Sequence, residues 1–192
     1  MIKRILFATD FSRWARRAED YACALACSWR APLTVLSVAE FMPGLNPDYP
    51  VNQQYLADLL KQASSQLADL KGRAERRGIV VTTRVATGIP SEEVITVAGA
   101  EDSDLLIVGT KGKTGLAHVL LGSTAERVIR GAPCPVLTVR MEPADAEDEG
   151  VPSKPVSLER ILVPVDFSDC SLDALEYAAV VAQQAKASLM LL

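Results

Sequence analysis

The stretch GTKGKTGLAHVLLGS, Gly109 to Ser123, gathers four glycines, two lysines and the chain's only histidine. Glycines at this density suit capture of phosphate oxygens by main-chain amides. Gly109 would let the chain leave a strand at a torsion other residues resist, and Gly112 would let N–H groups approach an anion closely. Gly122-Ser123 opens a helix, where unpaired N–H groups and the helix dipole favour negative charge. Ser123 and Thr124 add hydroxyl donors. Two segments offering amides from opposite sides would clasp a polyphosphate with no lysine essential.

Two familiar phosphate motifs are excluded by spacing. A Walker loop needs a glycine five positions before Gly112-Lys113-Thr114, where Ile107 stands. The dinucleotide fingerprint needs glycines in a GxGxxG pattern at the first strand-to-helix turn. Here Gly109 and Gly112 are separated by two residues and follow a fourth strand. The remaining pattern is Gly109, two residues, Gly112, nine residues, then Gly122-Ser123. A purely structural glycine turn is the competing reading. Lys111 and Lys113 are either phosphate contacts or solubilising loop charge. His118 has no base-and-nucleophile set around it, which leaves it a loop or surface role. Asp10 ends the apolar run Ile5-Leu6-Phe7-Ala8 and is either a metal-facing carboxylate or the cap of the following helix.

These residues need a frame, and the chain alternates strand and helix signals. Ile5 to Ala8 reads as a buried strand. Ser12 offers a helix cap before Ala15, Ala18, Ala22, Leu25, Ala26 and Trp29, spaced three and four apart. Leu33 to Val38 is the next strand. A loop with Pro43, Pro47 and Pro50 leads to a long helix whose apolar stripe runs from Leu56 to Ala74 and stops at Gly78. Ile79 to Val85 follows as a strand. Pro90-Ser91-Glu92-Glu93 carries the proline, capping oxygen and acidic first turn of a helix start. Leu105 to Val108 runs straight into Gly109, a helix after Gly122 ends near Gly131, and Pro135 to Val139 closes as a fifth strand. Strict alternation predicts an α/β domain with a parallel sheet covered on both faces. Ligands of such sheets sit beyond the carboxyl ends of the strands, where Asp10, Val38 and Gly109 lie.

The opening then repeats. Lys3-Arg4-Ile5-Leu6-Phe7-Ala8-Thr9-Asp10-Phe11-Ser12 returns as Glu159-Arg160-Ile161-Leu162-Val163-Pro164-Val165-Asp166-Phe167-Ser168, followed by a matching helix. The expected division is a domain over 1–140, an acidic linker over 141–157 and a partial second repeat over 158–192. The second copy stops within its second strand, so either the chain is a fragment of a longer tandem protein or this segment packs on another domain. The linker holds five acidic residues against Lys154, and with a net charge of −4 overall the rest of the chain sums to zero. No basic face of any size points to nucleic acid. No apolar run is long enough to span a membrane, and MIKRILFATD is too brief for a signal-peptide core, so the expected location is the cytoplasm. Cys23 and Cys27, four apart on one helix face, read as small apolar packing residues, with a redox or metal pair the alternative.

The Gly-x2-Gly-x9-Gly-Ser signature after a fourth strand resembles that of the universal stress protein family, in its ATP-binding branch. The resemblance covers Met1 to Arg140 as a whole domain and Leu158 to Leu192 as the start of a second. It implies a Rossmann-like or flavodoxin-like sheet in strand order 3-2-1-4-5 with helices on both faces. It also implies ATP, or AMP or ADP, as the ligand. Asp10 would meet the ribose or a magnesium-linked phosphate, with Thr9 beside it. Val38 would meet the adenine through its backbone, with Val108 lining the same pocket. Gly109, Gly112, Gly122, Ser123 and Thr124 would hold the phosphates. Ala8 departs from the family's frequent proline, which Pro164 keeps in the second copy. The edge strand Pro135 to Val139 would pair across a two-fold axis in a homodimer, or with the second repeat. The implied role is a stress-response sensor or accessory module. The alternatives are a slow ATPase or nucleotidyl enzyme, for which no general base stands near Ser123, and a non-nucleotide interaction module.

Overall fold

The computed structural model describes residues 1–40, 49–110, 121–141 and 156–192. Gly112, Lys111, Lys113 and His118 fall outside these residues, as does most of the acidic linker. The elements run β1 (Ile5–Ala8), α1 (Arg13–Trp29), β2 (Leu33–Ala39), α2 (Pro50–Glu75), β3 (Val81–Thr87), α3 (Pro90–Ala100), β4 (Leu105–Gly109), α4 (Ser123–Gly131) and β5 (Val136–Val139). A second set follows: β6 (Arg160–Val163), α5 (Asp169–Ala185) and β7 (Ser188–Leu191). Among the described residues no helix is long and apolar enough to cross a membrane.

The first five strands form one parallel sheet in the order β3-β2-β1-β4-β5. Side chains alternate across a strand, so a strand buried on both faces must be apolar at every position. β1 shows this directly. Ile5 and Phe7 join Leu33, Val35 and Ile107 under α1 and α2, while Leu6 joins Leu36, Leu106 and Val108 under α3 and α4. Both layers of helix are therefore fixed by one run of alternating apolar residues.

Several boundaries differ from the sequence expectation, each for a local reason. Pro50 belongs to α2 and sits at its first position, where a missing N–H costs nothing. The inner stripe of that helix is Ala63, Leu67, Leu70 and Ala74, and Gly78 takes a φ of 77° after it ends. β3 begins at Val81. Ser91 does not cap α3; Ile89 holds that position and Ser91 is buried within the first turn. Cys23 is buried but Cys27 is exposed, its thiol 3.7 Å from the Arg77 carbonyl, so only Cys23 packs in the core. Burial, reinforced by Glu19, pushes the Cys23 thiol up to about 11.

The second repeat does not extend the main sheet. β6 and β7 make a separate two-stranded parallel sheet, and β5 pairs only with β4 among the described strands. Pairing of β5 with the second copy within this chain is thereby overturned: the second copy lies elsewhere. α5 packs instead at the amino ends of β1 and β4. The Gln184 amide accepts the Ile2 N–H at 2.9 Å and donates to the Ile2 carbonyl at 3.0 Å. The Tyr177 hydroxyl donates to the Asp104 carbonyl at 3.2 Å, and Tyr177 and Val181 touch the main core.

Candidate functional site

The strand order reverses between β1 and β4, so their carboxyl ends lie side by side with no crossover helix above them. Ala8 is in register with Leu36 on one side and Val108 on the other. Just beyond, the Thr9 N–H continues the ladder to the Leu36 carbonyl at 2.9 Å. Thr9 is buried, and its Oγ1 accepts the Phe11 N–H at 3.0 Å. Asp10 Oδ1 accepts the Ser12 N–H at 3.0 Å. These two bonds turn the chain sharply into α1, and the turn places Phe11 at a left-handed φ of 57°. Asp10 thus shapes the approach to the helix rather than capping it through the N2 or N3 amide.

The other wall comes from β4 and α4. Gly109 is the last residue of β4, in register with Val139, and the Thr110 N–H donates to the Val139 carbonyl at 3.0 Å. Gly109 continues the strand; the glycines with left-handed φ among the described residues are Gly78 and Gly88. Its expected role as a torsional exit is corrected. The Gly122 N–H donates to the Thr110 carbonyl at 2.7 Å, which ties the two ends of the glycine-rich segment together.

Gly122 is the N-cap of α4 and makes no side-chain capping bond. The first-turn amides of a helix have no intrahelical partner, and a glycine cap cannot supply one. Ser123 and Thr124 occupy that first turn, both exposed. Glu126 would repel an anion there, but it is paired with Arg130 at 3.0 Å.

The geometry therefore brings together Thr9, Asp10, Gly109, Gly122, Ser123 and Thr124 around the switch point. Val108 is buried and Val38 half-buried in the layer beneath α3 and α4, packed with Ala8 and Leu36. Gly112 lies outside the described residues. For magnesium, no group of three His, Cys, Asp or Glu side chains among the described residues could hold a metal ion. A magnesium ion carried mainly by phosphate oxygens would need only one or two protein carboxylates, and Asp10 is a carboxylate at this strand end. Two features escaped the sequence reading: the left-handed Phe11 and a Ser12 hydroxyl oxygen that is buried without a hydrogen-bond partner among the described residues. The recurrence of Asp-Phe-Ser in both copies was the available signal.

Comparison with known proteins agrees with this fold. The family model described as "Universal stress protein family" matches residues 1–140 and 157–192. Universal stress protein MJ0531 of Methanocaldococcus jannaschii is 34% identical over 141 residues, covering 73% of this chain and 83% of that protein. A universal stress protein from Archaeoglobus fulgidus superposes with a TM-score of 0.75 at 23% identity. That match covers 98% of this chain and 65% of the other, a likeness of fold that includes the second repeat. A universal stress protein in complex with cAMP superposes with a TM-score of 0.51 at 25% identity, over 72% of this chain and 97% of that one. A family model spanning most of the sequence and a relative 34% identical over 83% of its own length lead to one assignment: the chain belongs to the universal stress protein family.

Proposed function

We propose that this chain binds ATP at the carboxyl ends of β1 and β4 and acts in the cytoplasm as a nucleotide-responsive stress sensor. The observation that carries this reading is the bond from the Gly122 N–H to the Thr110 carbonyl at 2.7 Å. It sets the uncapped amino end of α4 against the strand end that faces Thr9 and Asp10. Main-chain amides and the helix dipole then hold the phosphates, while Val38 and Val108 floor the adenine side. A relative in complex with cAMP supports an adenine nucleotide as the class of ligand. Magnesium, if carried in with the phosphates, would meet Asp10 and shield the charge between neighbouring phosphate groups. Residues 1–140 form the binding module in this reading, and 158–192 begin a second of the same kind. β5 is an edge strand, and a second copy pairs along it across a two-fold axis; the mass in solution decides that point.

Binding is tested by calorimetry with magnesium-ATP, and by the rise in melting temperature that a ligand selective for the folded state must produce. Ser123→Ala removes a hydroxyl donor to a charged oxygen and should weaken binding by about 10- to 100-fold. Parent-like affinity in that variant removes Ser123 from the site. No heat and no thermal shift in the parent overturns the nucleotide reading itself and revives a non-nucleotide interaction module.

A further inference from the structure

The Asp-Phe-Ser turn occurs twice with one backbone and two opposite chemistries. Ser12 and Ser168 both precede a 17-residue helix, at φ/ψ of −66°/159° and −72°/156°. The phenylalanines before them share left-handed φ values of 57° and 64°. In each copy the aspartate Oδ1 accepts the serine N–H at 3.0 Å. The serine hydroxyls then part company. Ser168 donates to Asp166 Oδ1 at 2.6 Å and accepts the Ser171 N–H at 3.3 Å, so its hydrogen-bonding capacity is met within the turn. The Ser12 hydroxyl oxygen is buried and has no hydrogen-bond partner among the described residues. Buried polar atoms are nearly always paired, and an exception calls for a ligand or a function.

The first turns of the two helices differ in charge as well. α5 begins with Asp169 and adds Asp173, the arrangement a helix dipole favours. α1 has no acid in its first turn and places Arg13, Arg16 and Arg17 at the positions matching Asp169, Leu172 and Asp173. Arg17 is engaged with Asp20 at 3.7 Å and lies over the Tyr21 ring. Arg13 stacks 4.6 Å above Trp14, and both Arg13 and Arg16 are exposed. Cations at a helix amino end work against the dipole unless an anion sits between them. An unpaired hydroxyl and a basic, uncapped helix start, two residues after Asp10, make the same demand.

We propose that Ser12, Arg13 and Arg16 form a subsite for the terminal phosphate groups of the bound nucleotide. The subsite rests on the nucleotide reading above and extends it: α4 grips the phosphates from the β4 side, and α1 grips the far end of the chain from the β1 side. Its consequence is discrimination by phosphate number. A triphosphate reaches α1, a monophosphate does not.

Calorimetry with ATP and with AMP, each with magnesium, tests it on the full chain. The parent should bind ATP more tightly than AMP. Ser12→Ala should weaken ATP by about tenfold, the loss of one charge-assisted bond, and leave AMP unchanged. Its melting temperature without nucleotide should not fall, because the hydroxyl bonds to no described residue in the free protein. The exposed pair Arg13→Gln and Arg16→Gln, which places no demand on folding, should narrow the ATP–AMP gap and flatten its salt dependence. A parent-like ATP to AMP ratio in these variants overturns the subsite while leaving the nucleotide reading intact, as does equal weakening of both ligands. A parent that binds neither ligand overturns both.

Discussion

Ile5-Leu6-Phe7 and Ile161-Leu162-Val163 are nearly the same strand written twice, and their surroundings could hardly differ more. Each pairs in parallel with the strand that follows its helix, in matching register: Ile5 with Leu33, Ile161 with Leu189. Yet Leu6 and Leu36 are 0% exposed, while their counterparts Leu162 and Leu192 are 57% and 80% exposed. What separates them is cover. In the first repeat β4 adds a strand beside β1, and α3 and α4 roof the Leu6 face. Among the described residues neither has an equivalent over β6 and β7. Local sequence is enough to form the strand–helix–strand unit and its register; burial depends on elements far along the chain.

The sharpest way to break this comparison is to make one mutation in both copies. Leu6→Ala removes a side chain enclosed on all sides and should cost about 2–5 kcal/mol. Leu162→Ala removes one already facing water and should cost roughly 0.5 kcal/mol. Urea unfolding of the two variants gives both values. Comparable losses would mean that the Leu162 face is covered in solution, and the contrast between the copies would vanish.

A smaller effect probes what support the second repeat does have. Burial, with Cys134 and Asp104 nearby, holds the Tyr177 phenol well above its ordinary value of 10. The fold therefore favours the neutral phenol, so this contribution is complete below pH 10 and is lost as pH rises beyond it. Tyr177→Phe removes the bond to the Asp104 carbonyl at a cost of about 1 kcal/mol at neutral pH. It should also remove the latest-titrating of the four tyrosines from an ultraviolet pH titration. Four tyrosines titrating together in the parent would show that α5 does not dock on the first domain.

How much of this was legible beforehand varies with range. The parallel sheet and its alternating layers follow from unbroken apolar runs such as Leu105-Leu106-Ile107-Val108, because burial on both faces leaves no freedom in residue type. The switch-point position of Asp10 and Gly109 follows from the same alternation. Strand order itself came through the family resemblance. The bonds that set the site were not visible, since Gly122 meets Thr110 across a segment whose length alone fixes no geometry. The docking of Gln184 on Ile2 spans 182 residues and carries no local mark. The failed cap at Ser91 shows the limit from the other side: a residue type favoured at helix starts says nothing about which of two adjacent positions starts the helix, and Pro90 decided it by taking the first helical position.

The smallest effect separates the two serines themselves. Ser168 closes a turn in which its hydroxyl and N–H, with the Ser171 hydroxyl, stabilise the Asp166 carboxylate and hold it down to about 2. A depressed carboxyl pKa stabilises the fold above the ordinary range near 3.8, and that support fades as pH falls from there through about 2. Asp166 is open to solvent, so water and salt screen its charge and the acid effect is slight. Ser168→Ala should cost α5 about 0.5–1 kcal/mol, the lower part of the range for a lost cap. Ser12→Ala should cost α1 nothing in the absence of ligand, because the Ser12 hydroxyl makes no bond among the described residues. Thermal melts of the two variants at pH 7, and of the parent between pH 5 and 2, make the comparison. Equal destabilisation by both substitutions would mean that Ser12 caps its helix in solution as Ser168 does. The difference between the two turns would then be confined to the charges on the helices that follow them.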